Sequence, residues 1–263
     1  MPDHPYAGSR SLGVSVLDHV AVLEMRRPPA NYFDEELIAA LADAAGAFDR
    51  DPACRALVIC SAGRHFCAGA DFGANGEFGA DRARAARRLY ASAVRLFALR
   101  KPIVAAVQGA AVGGGLGLAC AADFRVADAN SRFVANFAWL GIHQGFGLSV
   151  TLPEIVGRQA AADLLLRGAT VKGGEAATIG LVDRLAEAGE QRAVALALAR
   201  EIATSAPLAV TSIRETLRAG LADRVGMALE RELAEQTRLW ETSDSAEGIA
   251  AGIERREPSF VGR

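Results

Sequence analysis

The sequence predicts an α/β fold, in which a core of strands alternating with helices is followed by a helical C-terminal subdomain. Short apolar runs rich in β-branched residues alternate with amphipathic stretches, and from about residue 158 the pattern becomes almost wholly helical. Hydrophobic residues make up 51% of the 263 residues and charged residues 23%, as in ordinary folded proteins. Because no repeat or long linker divides the chain, we predict a core over residues 1–195 and a helical subdomain over 196–263 within one structural unit.

Each element follows from a local pattern. The segment 13–25 has two β-rich pieces around Asp18-His19, which predicts a hairpin, and Asp34 is a candidate cap for an amphipathic helix ending at Asp49. Further strands are predicted at 56–60, 102–107, 124–128 and 132–136, and a helix within 81–100. The later helices are predicted at 158–167, 190–205, 207–220, 223–242 and 245–256.

Composition excludes several classes of function. The net charge of −2 gives no electrostatic reason to bind nucleic acid or an anionic membrane. Ile103 to Ala122 is twenty residues long and uncharged, but it is rich in Ala and Gly, so a strand, a tight loop and a buried helix explain it better than a membrane span. The four cysteines form no CxxC pair, and residues 1–10 lack a secretion-signal pattern. We therefore expect a cytoplasmic protein with reduced thiols and no metal site.

The stretch AVGGGLGLA at 111–119 has four glycines in five positions. It lacks the third glycine of the dinucleotide fingerprint and the Gly-Lys-Ser/Thr of the other common phosphate loop. A third use is to present backbone N–H groups at the start of a helix, here predicted over 114–122, to an oxygen that gains negative charge. The segment SAGRHFCAGADF at 61–72 also follows a strand and could supply a second donor.

These two loops resemble those of the crotonase family, the enoyl-CoA hydratase/isomerase superfamily. The segments that carry the resemblance are MRRPPANYFDEEL, GRHFCAGADF, KPIVAAVQGAAVGGGLGLACAADFRVA, FVANFAWLGIHQGFGLSVTLPEIVG and SAEGIAAGIERREPSFVGR. The resemblance implies a crotonase-type ββα spiral core with C-terminal helices, assembled as a homotrimer or a dimer of trimers. It implies an acyl-CoA thioester as the ligand and no separate cofactor, since coenzyme A is carried as part of the substrate.

The resemblance also assigns roles to residues of both loops. The expected oxyanion-hole donors are the backbone N–H groups of Ala68 and Gly114. The loop Ala68-Gly69-Ala70-Asp71 is expected to wrap the pantetheine end of the ligand. Phe137 is expected to form a wall of the acyl pocket. An oxyanion hole of this kind would stabilise the enolate of a thioester.

The sequence departs from the family pattern at the catalytic acids. Matching by register, the two hydratase glutamates fall on Gly117 and Phe137, and the acid that some isomerases and dehalogenases carry falls on Gly145. His143 is a candidate general base, and the alternative is a histidine bonded to backbone or facing solvent. His65 and Asp71 are expected to shape their loop.

We therefore expect an acyl-CoA-binding lyase or isomerase of this family, with weak or absent hydratase activity because the paired carboxylates are missing. The alternatives are an isomerase, lyase or thioesterase that uses His143, and a non-catalytic acyl-CoA binder. The arginines of the helix within 81–100 are either phosphate ligands for CoA or a solvated face; they are Arg82, Arg84, Arg87, Arg88 and Arg95.

Overall fold

The computed structural model describes residues 10–71 and 82–263. The N-terminal residues 1–9, for which the sequence predicts no secretion signal, lie outside the described residues, as does the part of the first loop beyond Asp71.

The core is a six-stranded sheet with the order β1-β2-β3-β4-β6-β9. Its strands are β1 (Leu12–Leu17), β2 (Val20–Met25), β3 (Ala56–Ser61), β4 (Ile103–Val107), β6 (Phe124–Asp128) and β9 (Arg184–Ala186). β1 pairs with β2 in antiparallel orientation, and every later pair in this sheet is parallel. A second sheet has the order β5-β7-β8, with β5 (Ala110–Val112), β7 (Arg132–Val134) and β8 (Thr170–Lys172). Parallel pairing places the loops that follow β3 and β4 at the same edge of the main sheet.

The predicted hairpin and helix cap are both confirmed. Asp18 and His19 have φ angles of 51° and 67°, the left-handed pair that a two-residue hairpin turn requires. The first helix begins directly after Asp34, whose carboxylate accepts from the Leu37 N–H at 2.8 Å.

The helices surround the sheets and dominate the C-terminal part of the described chain. They are α1 (Glu35–Arg50), α2 (Arg82–Phe97), α3 (Gly114–Ala121), α4 (Leu148–Arg167), α5 (Gly173–Thr178), α6 (Gln191–Thr204), α7 (Pro207–Leu217), α8 (Leu221–Leu239) and α9 (Ser243–Glu254). A 3₁₀ turn spans Ala138–Leu140. The helix predicted at 158–167 is the second half of α4, which starts ten residues earlier and is kinked at Gly157, where φ is 79° and ψ is 158°.

The uncharged stretch from Ile103 to Ala122 folds into β4, β5 and α3, with β4 completely buried in the main sheet. In the described part of the chain, no single helix has the length and apolarity that crossing a membrane requires. The pair α6 and α7, bent by 109°, passes that test only when the two helices are joined.

Small side chains let α6 lie close to one face of the main sheet. Ala195, Ala199 and Ala203 are buried against valines of the sheet that include Val58 and Val104. The opposite face belongs to a larger apolar cluster that runs from β1 to α8. The C-terminal helices are therefore continuous with the core and do not form a separate apolar centre.

A charged cluster fixes α7 to the end of the core. Asp123, between α3 and β6, accepts from Arg214 Nε at 2.8 Å and from Arg218 Nη1 at 2.7 Å. It also accepts from the Ile103 N–H at 2.7 Å, and the Arg214 side chain is 7% exposed. Burial is the largest influence on the Arg214 guanidinium and lowers its pKa, so the charge depends on this partner.

We expect Asp123→Asn to lower the free energy of unfolding by about 3–5 kcal/mol, because it leaves two largely buried guanidinium groups without their shared carboxylate. The matched control is Asp43→Asn, which removes an exposed ion pair with Arg95 (2.6 Å) and should cost less than about 1 kcal/mol. Urea unfolding of the two variants measures the difference, and equal losses would contradict the structural role of Asp123.

Candidate functional site

The first loop, described over residues 61–71, and the glycine loop, residues 111–119, contact each other through their backbones. The Cys67 N–H donates to the Ala110 carbonyl at 3.1 Å, and the Val112 N–H donates to the Cys67 carbonyl at 2.9 Å. A Cβ atom at Gly115 would lie 2.2 Å from the Cys67 carbonyl oxygen, a distance that no side chain can occupy. Glycine at this position is therefore what allows the loops to approach.

A buried asparagine holds the first loop in place. Asn31 is 0% exposed, and its Nδ2 donates to the carbonyls of Ala62 at 2.6 Å and His65 at 2.7 Å. Its Oδ1 accepts from the Arg27 N–H at 2.8 Å. This accounts physically for the asparagine of the MRRPPAN segment, because the amide satisfies carbonyls that the turn leaves without partners.

A cavity of about 740 Å³ opens beside the two loops. The lining residues include the sequence-predicted Ala68, Gly69, Ala70, Asp71, Gly114 and Phe137. Three phenyl rings stand around the glycines. The rings of Phe33 and Phe146 are 5.5 Å apart, and Phe137 Cζ lies 3.7 Å from where a Cβ of Gly113 would be. The cavity wall next to Gly114 is therefore strongly apolar.

Two backbone N–H groups on this wall are available to a ligand. Neither the Ala70 N–H nor the Gly114 N–H donates a hydrogen bond within the described part of the chain. Gly114 is the first residue of α3, where the helix itself offers its N–H no acceptor. The Ala68 N–H, which the resemblance suggested as a donor, instead donates to the Ala30 carbonyl at 2.9 Å. The free donor of the first loop is thus two residues further along.

Of the three positions that lack the expected acids, two are closed by neighbouring aromatic residues and the third holds Phe137. A Cβ at Gly117 would lie 2.6 Å from Phe146 Cβ and 3.0 Å from its carbonyl oxygen. Phe146 has a φ of 60°, a left-handed conformation that is rare for a bulky residue. A Cβ at Gly145 would lie 2.1 Å from the Tyr90 hydroxyl, and Phe137 is itself a wall residue. Among the described residues lining the cavity, Asp71 is the only carboxylate.

The pocket segment, residues 133–147, is fixed by hydrogen bonds to α2 and α8. The Tyr90 hydroxyl donates to Gln236 Oε1 at 2.8 Å, and Gln236 Nε2 donates to the His143 carbonyl at 3.0 Å. Burial raises the pKa of Tyr90, so its hydroxyl is protonated at neutral pH. His143 Nδ1 lies 2.8 Å from the Gln144 carbonyl, and its ring is not among the described residues that line the cavity. The backbone of His143, and not its ring, joins this network.

Glu232 of α8 stabilises the start of α4. Its carboxylate is 0% exposed and accepts from the N–H groups of Gly147 at 2.9 Å and Ser149 at 3.0 Å. Burial is the largest influence and raises the pKa of Glu232, while the bonds from Ser149 and Gly147 oppose that rise. The carboxylate therefore acts as a cap supplied from a distant helix, and no local sequence signal could have revealed it.

The predicted arginine run does not line the cavity in the described structure. Arg95 pairs with Asp43 at 2.6 Å, and Arg88 lies 3.6 Å from Glu35. The lining arginines are instead Arg132 and Arg255. No sequence pattern predicted that either arginine would line the cavity, since Arg132 belongs to a three-residue strand and Arg255 directly follows α9.

His65 belongs to the first loop and is not among the described residues that line the cavity. Its Nδ1 is buried and has no hydrogen-bond partner in the described part of the protein. Burial, followed by the charges of Arg64 and Arg132, lowers the pKa of His65, so the ring is neutral near pH 7. These features suit a packing role for this side chain.

Known proteins of one family match this chain over nearly its whole length. The sequence model of the enoyl-CoA hydratase/isomerase family matches residues 17–263. A protein named carnitinyl-CoA dehydratase from Proteus mirabilis is 35% identical over 260 residues, which is 97% of this chain and 100% of that protein. A crotonyl-CoA hydratase from Syntrophomonas wolfei is 33% identical over 249 residues, 94% of this chain and 96% of that protein.

A solved enoyl-CoA hydratase/isomerase structure from Pseudoalteromonas atlantica T6c has a TM-score of 0.83 and 30% identity. The match covers 95% of this chain and 100% of that one. The likeness confirms the predicted α/β fold class and its crotonase-type architecture.

The contact between Gly117 and Phe146 leads to a stability prediction. We expect Gly117→Ala to lower the free energy of unfolding by about 1–3 kcal/mol, because the new methyl group would overlap Phe146 Cβ and its backbone. The control is Gly226→Ala inside α8, where the nearest contact of a new Cβ would be Val94 Cγ2 at 3.8 Å. That change should stabilise the protein by about 0.5–1 kcal/mol.

Denaturant unfolding of both variants measures the effect. A Gly117→Ala variant as stable as the parent protein would show that the pocket segment moves freely, contrary to the packing described.

Proposed function

Because this chain belongs to the enoyl-CoA hydratase/isomerase family, we propose that it binds an acyl-CoA thioester and stabilises the enolate derived from it. The observation that carries the proposal is the pair of unpartnered N–H groups, at Ala70 and Gly114, on the wall of one cavity. A thioester oxygen that accepts from both would gain negative charge against fixed dipoles. One such donor contributes about 3–4 kcal/mol of barrier lowering.

The cavity suits an apolar or aromatic acyl group joined to a polyanionic carrier. Phe33, Phe137 and Phe146 would enclose the acyl group and exclude water from the thioester. Arg132 and Arg255 line the same cavity and are candidates to bind the phosphates of coenzyme A. These two arginines take the place of the helical run that the sequence suggested.

The protein is proposed to be a poor hydratase. Hydration of a double bond requires groups that deliver and remove protons, and the positions of the usual carboxylates hold Gly117 and Phe137. Enolate chemistry that draws its proton transfers from the substrate remains compatible with the site. A non-catalytic acyl-CoA binder is the second candidate, and Asp71 as the single carboxylate among the described lining residues favours it.

A lyase, isomerase or thioesterase that uses His143 is a third reading. It would require the ring to turn from its bond with the Gln144 carbonyl into the cavity. We also propose a homotrimer or a dimer of trimers. The support is a set of exposed apolar side chains on α7, where Leu208, Ile213 and Leu217 are 85%, 59% and 80% exposed.

The oxyanion hole predicts a difference in affinity between two ligands. Butyryl-CoA should bind about 5- to 150-fold more tightly than S-butyl-CoA, the thioether without the carbonyl oxygen, because two hydrogen bonds each contribute about 0.5–1.5 kcal/mol. Isothermal titration calorimetry measures both affinities, with free coenzyme A as the baseline. Equal binding of the two ligands would contradict the assignment of Ala70 and Gly114.

Hydration of crotonyl-CoA tests the reaction. We expect a rate about 10²–10⁴-fold below that of a family hydratase carrying both glutamates, since that is the usual contribution of general acid–base groups. Loss of the conjugated thioester absorbance reports turnover. Turnover at hydratase-like rates would contradict the proposal that hydratase activity is weak.

If the protein does hydrate crotonyl-CoA at such rates, the turnover of the His143→Ala variant shows whether this histidine is the base. His19→Ala is the control, because His19 lies in the exposed hairpin turn. Binding of a panel of acyl-CoA thioesters without any conversion by mass spectrometry would favour the binder. Failure to bind any of them would contradict both candidates.

A further inference from the structure

One polar side chain of the cavity has no role in the arrangement described so far. The Tyr90 hydroxyl donates a hydrogen bond to the Gln236 amide oxygen, and Tyr32 is 42% exposed at the surface. Asn136 also lines the cavity, and its side-chain amide makes no hydrogen bond with any residue of the described chain. An amide that lines a cavity without a partner in the described chain is suited to a ligand group.

The strand register places this amide beside the oxyanion hole. In the second sheet, Val112 pairs with Val134 in parallel orientation, and the Gly113 N–H continues the ladder by donating to the Val134 carbonyl at 2.8 Å. Gly114 lies two residues beyond Val112, and Asn136 lies two residues beyond Val134. A Cβ at Gly113 would be 3.5 Å from Asn136 Oδ1. The amide therefore stands next to the residue that precedes the Gly114 donor.

The backbone around Asn136 is fixed before any ligand arrives. The Asn136 carbonyl accepts from the Leu140 N–H at 3.1 Å, where the 3₁₀ turn ends. The preceding Ala135 N–H donates to the Ala169 carbonyl at 3.2 Å, and the following Phe137 is 7% exposed. Because the backbone is already fixed, only the side-chain torsions of Asn136 have to be ordered when its amide forms a hydrogen bond.

We propose that Asn136 is a specificity-determining residue that hydrogen-bonds an oxygen substituent on C2 or C3 of the acyl group. The inference rests on the proposed function, because the thioester must first occupy the oxyanion hole. The amide supplies both donors and an acceptor, so it can pair with a hydroxyl in either direction. An unsubstituted acyl chain would leave the amide without a partner among phenyl rings, and this lowers its relative affinity.

The test compares three thioesters by calorimetry: butyryl-CoA, 2-hydroxybutyryl-CoA and 3-hydroxybutyryl-CoA. We expect the parent protein to bind at least one hydroxylated form about 2- to 10-fold more tightly than butyryl-CoA. Asn136→Leu, which keeps a similar size, should bring the affinities for butyryl-CoA and the hydroxylated forms to within about 2-fold of each other, because the amide that favours the hydroxyl is gone. The matched control is Gln144→Leu, an amide of the same segment that donates to Ser149 Oγ at 3.1 Å and should keep the preference.

The outcomes separate the two proposals. If the parent binds all three thioesters equally, or Asn136→Leu retains the preference, the role of Asn136 is overturned while acyl-CoA binding stands. If the parent binds none of them, the proposed function itself fails. Should the leucine variant fail to bind butyryl-CoA, Asn136→Ala removes the amide without adding bulk, and the same comparison decides.

Discussion

The close backbone contact between the first loop and the glycine loop is the constraint on which the site depends. Gly115 meets the Cys67 carbonyl where a Cβ would lie at 2.2 Å, and Gly69 meets the Val112 carbonyl where one would lie at 2.8 Å. The two free N–H groups belong to the residues beside these contacts, Ala70 and Gly114. Their spacing is therefore set by main-chain packing that only glycine permits, and no side-chain rotamer has to be chosen to place the two donors.

Features with local causes could be predicted from the sequence, and features caused by distant partners could not. The hairpin and the α1 cap follow from residues within a few positions of each other, as does the glycine loop. The strands β8 and β9 have three residues each and exist because β7 and β6 pair with them. The choice of Ala70 over Ala68 as the free donor depends on Ala30, and the capping of α4 depends on Glu232, 85 residues from Gly147.

The missing acids are part of the packing and not isolated substitutions. Phe146 adopts a left-handed conformation directly over Gly117, and Tyr90 fills the space beside Gly145. A carboxylate introduced at either glycine would meet an occupied position. The absence of the expected acids therefore involves residues of α2, α3 and the pocket segment together.

The cavity draws its walls from almost the whole length of the chain, from Tyr32 to Arg255. A chain synthesised only as far as α7 would already contain both loops and every strand, but α4 would lack the Glu232 carboxylate at its first N–H groups. The wall formed by Gln236 and the residues of α9 would also be absent. The cavity is therefore complete only when α8 and α9 have packed against the earlier part of the fold.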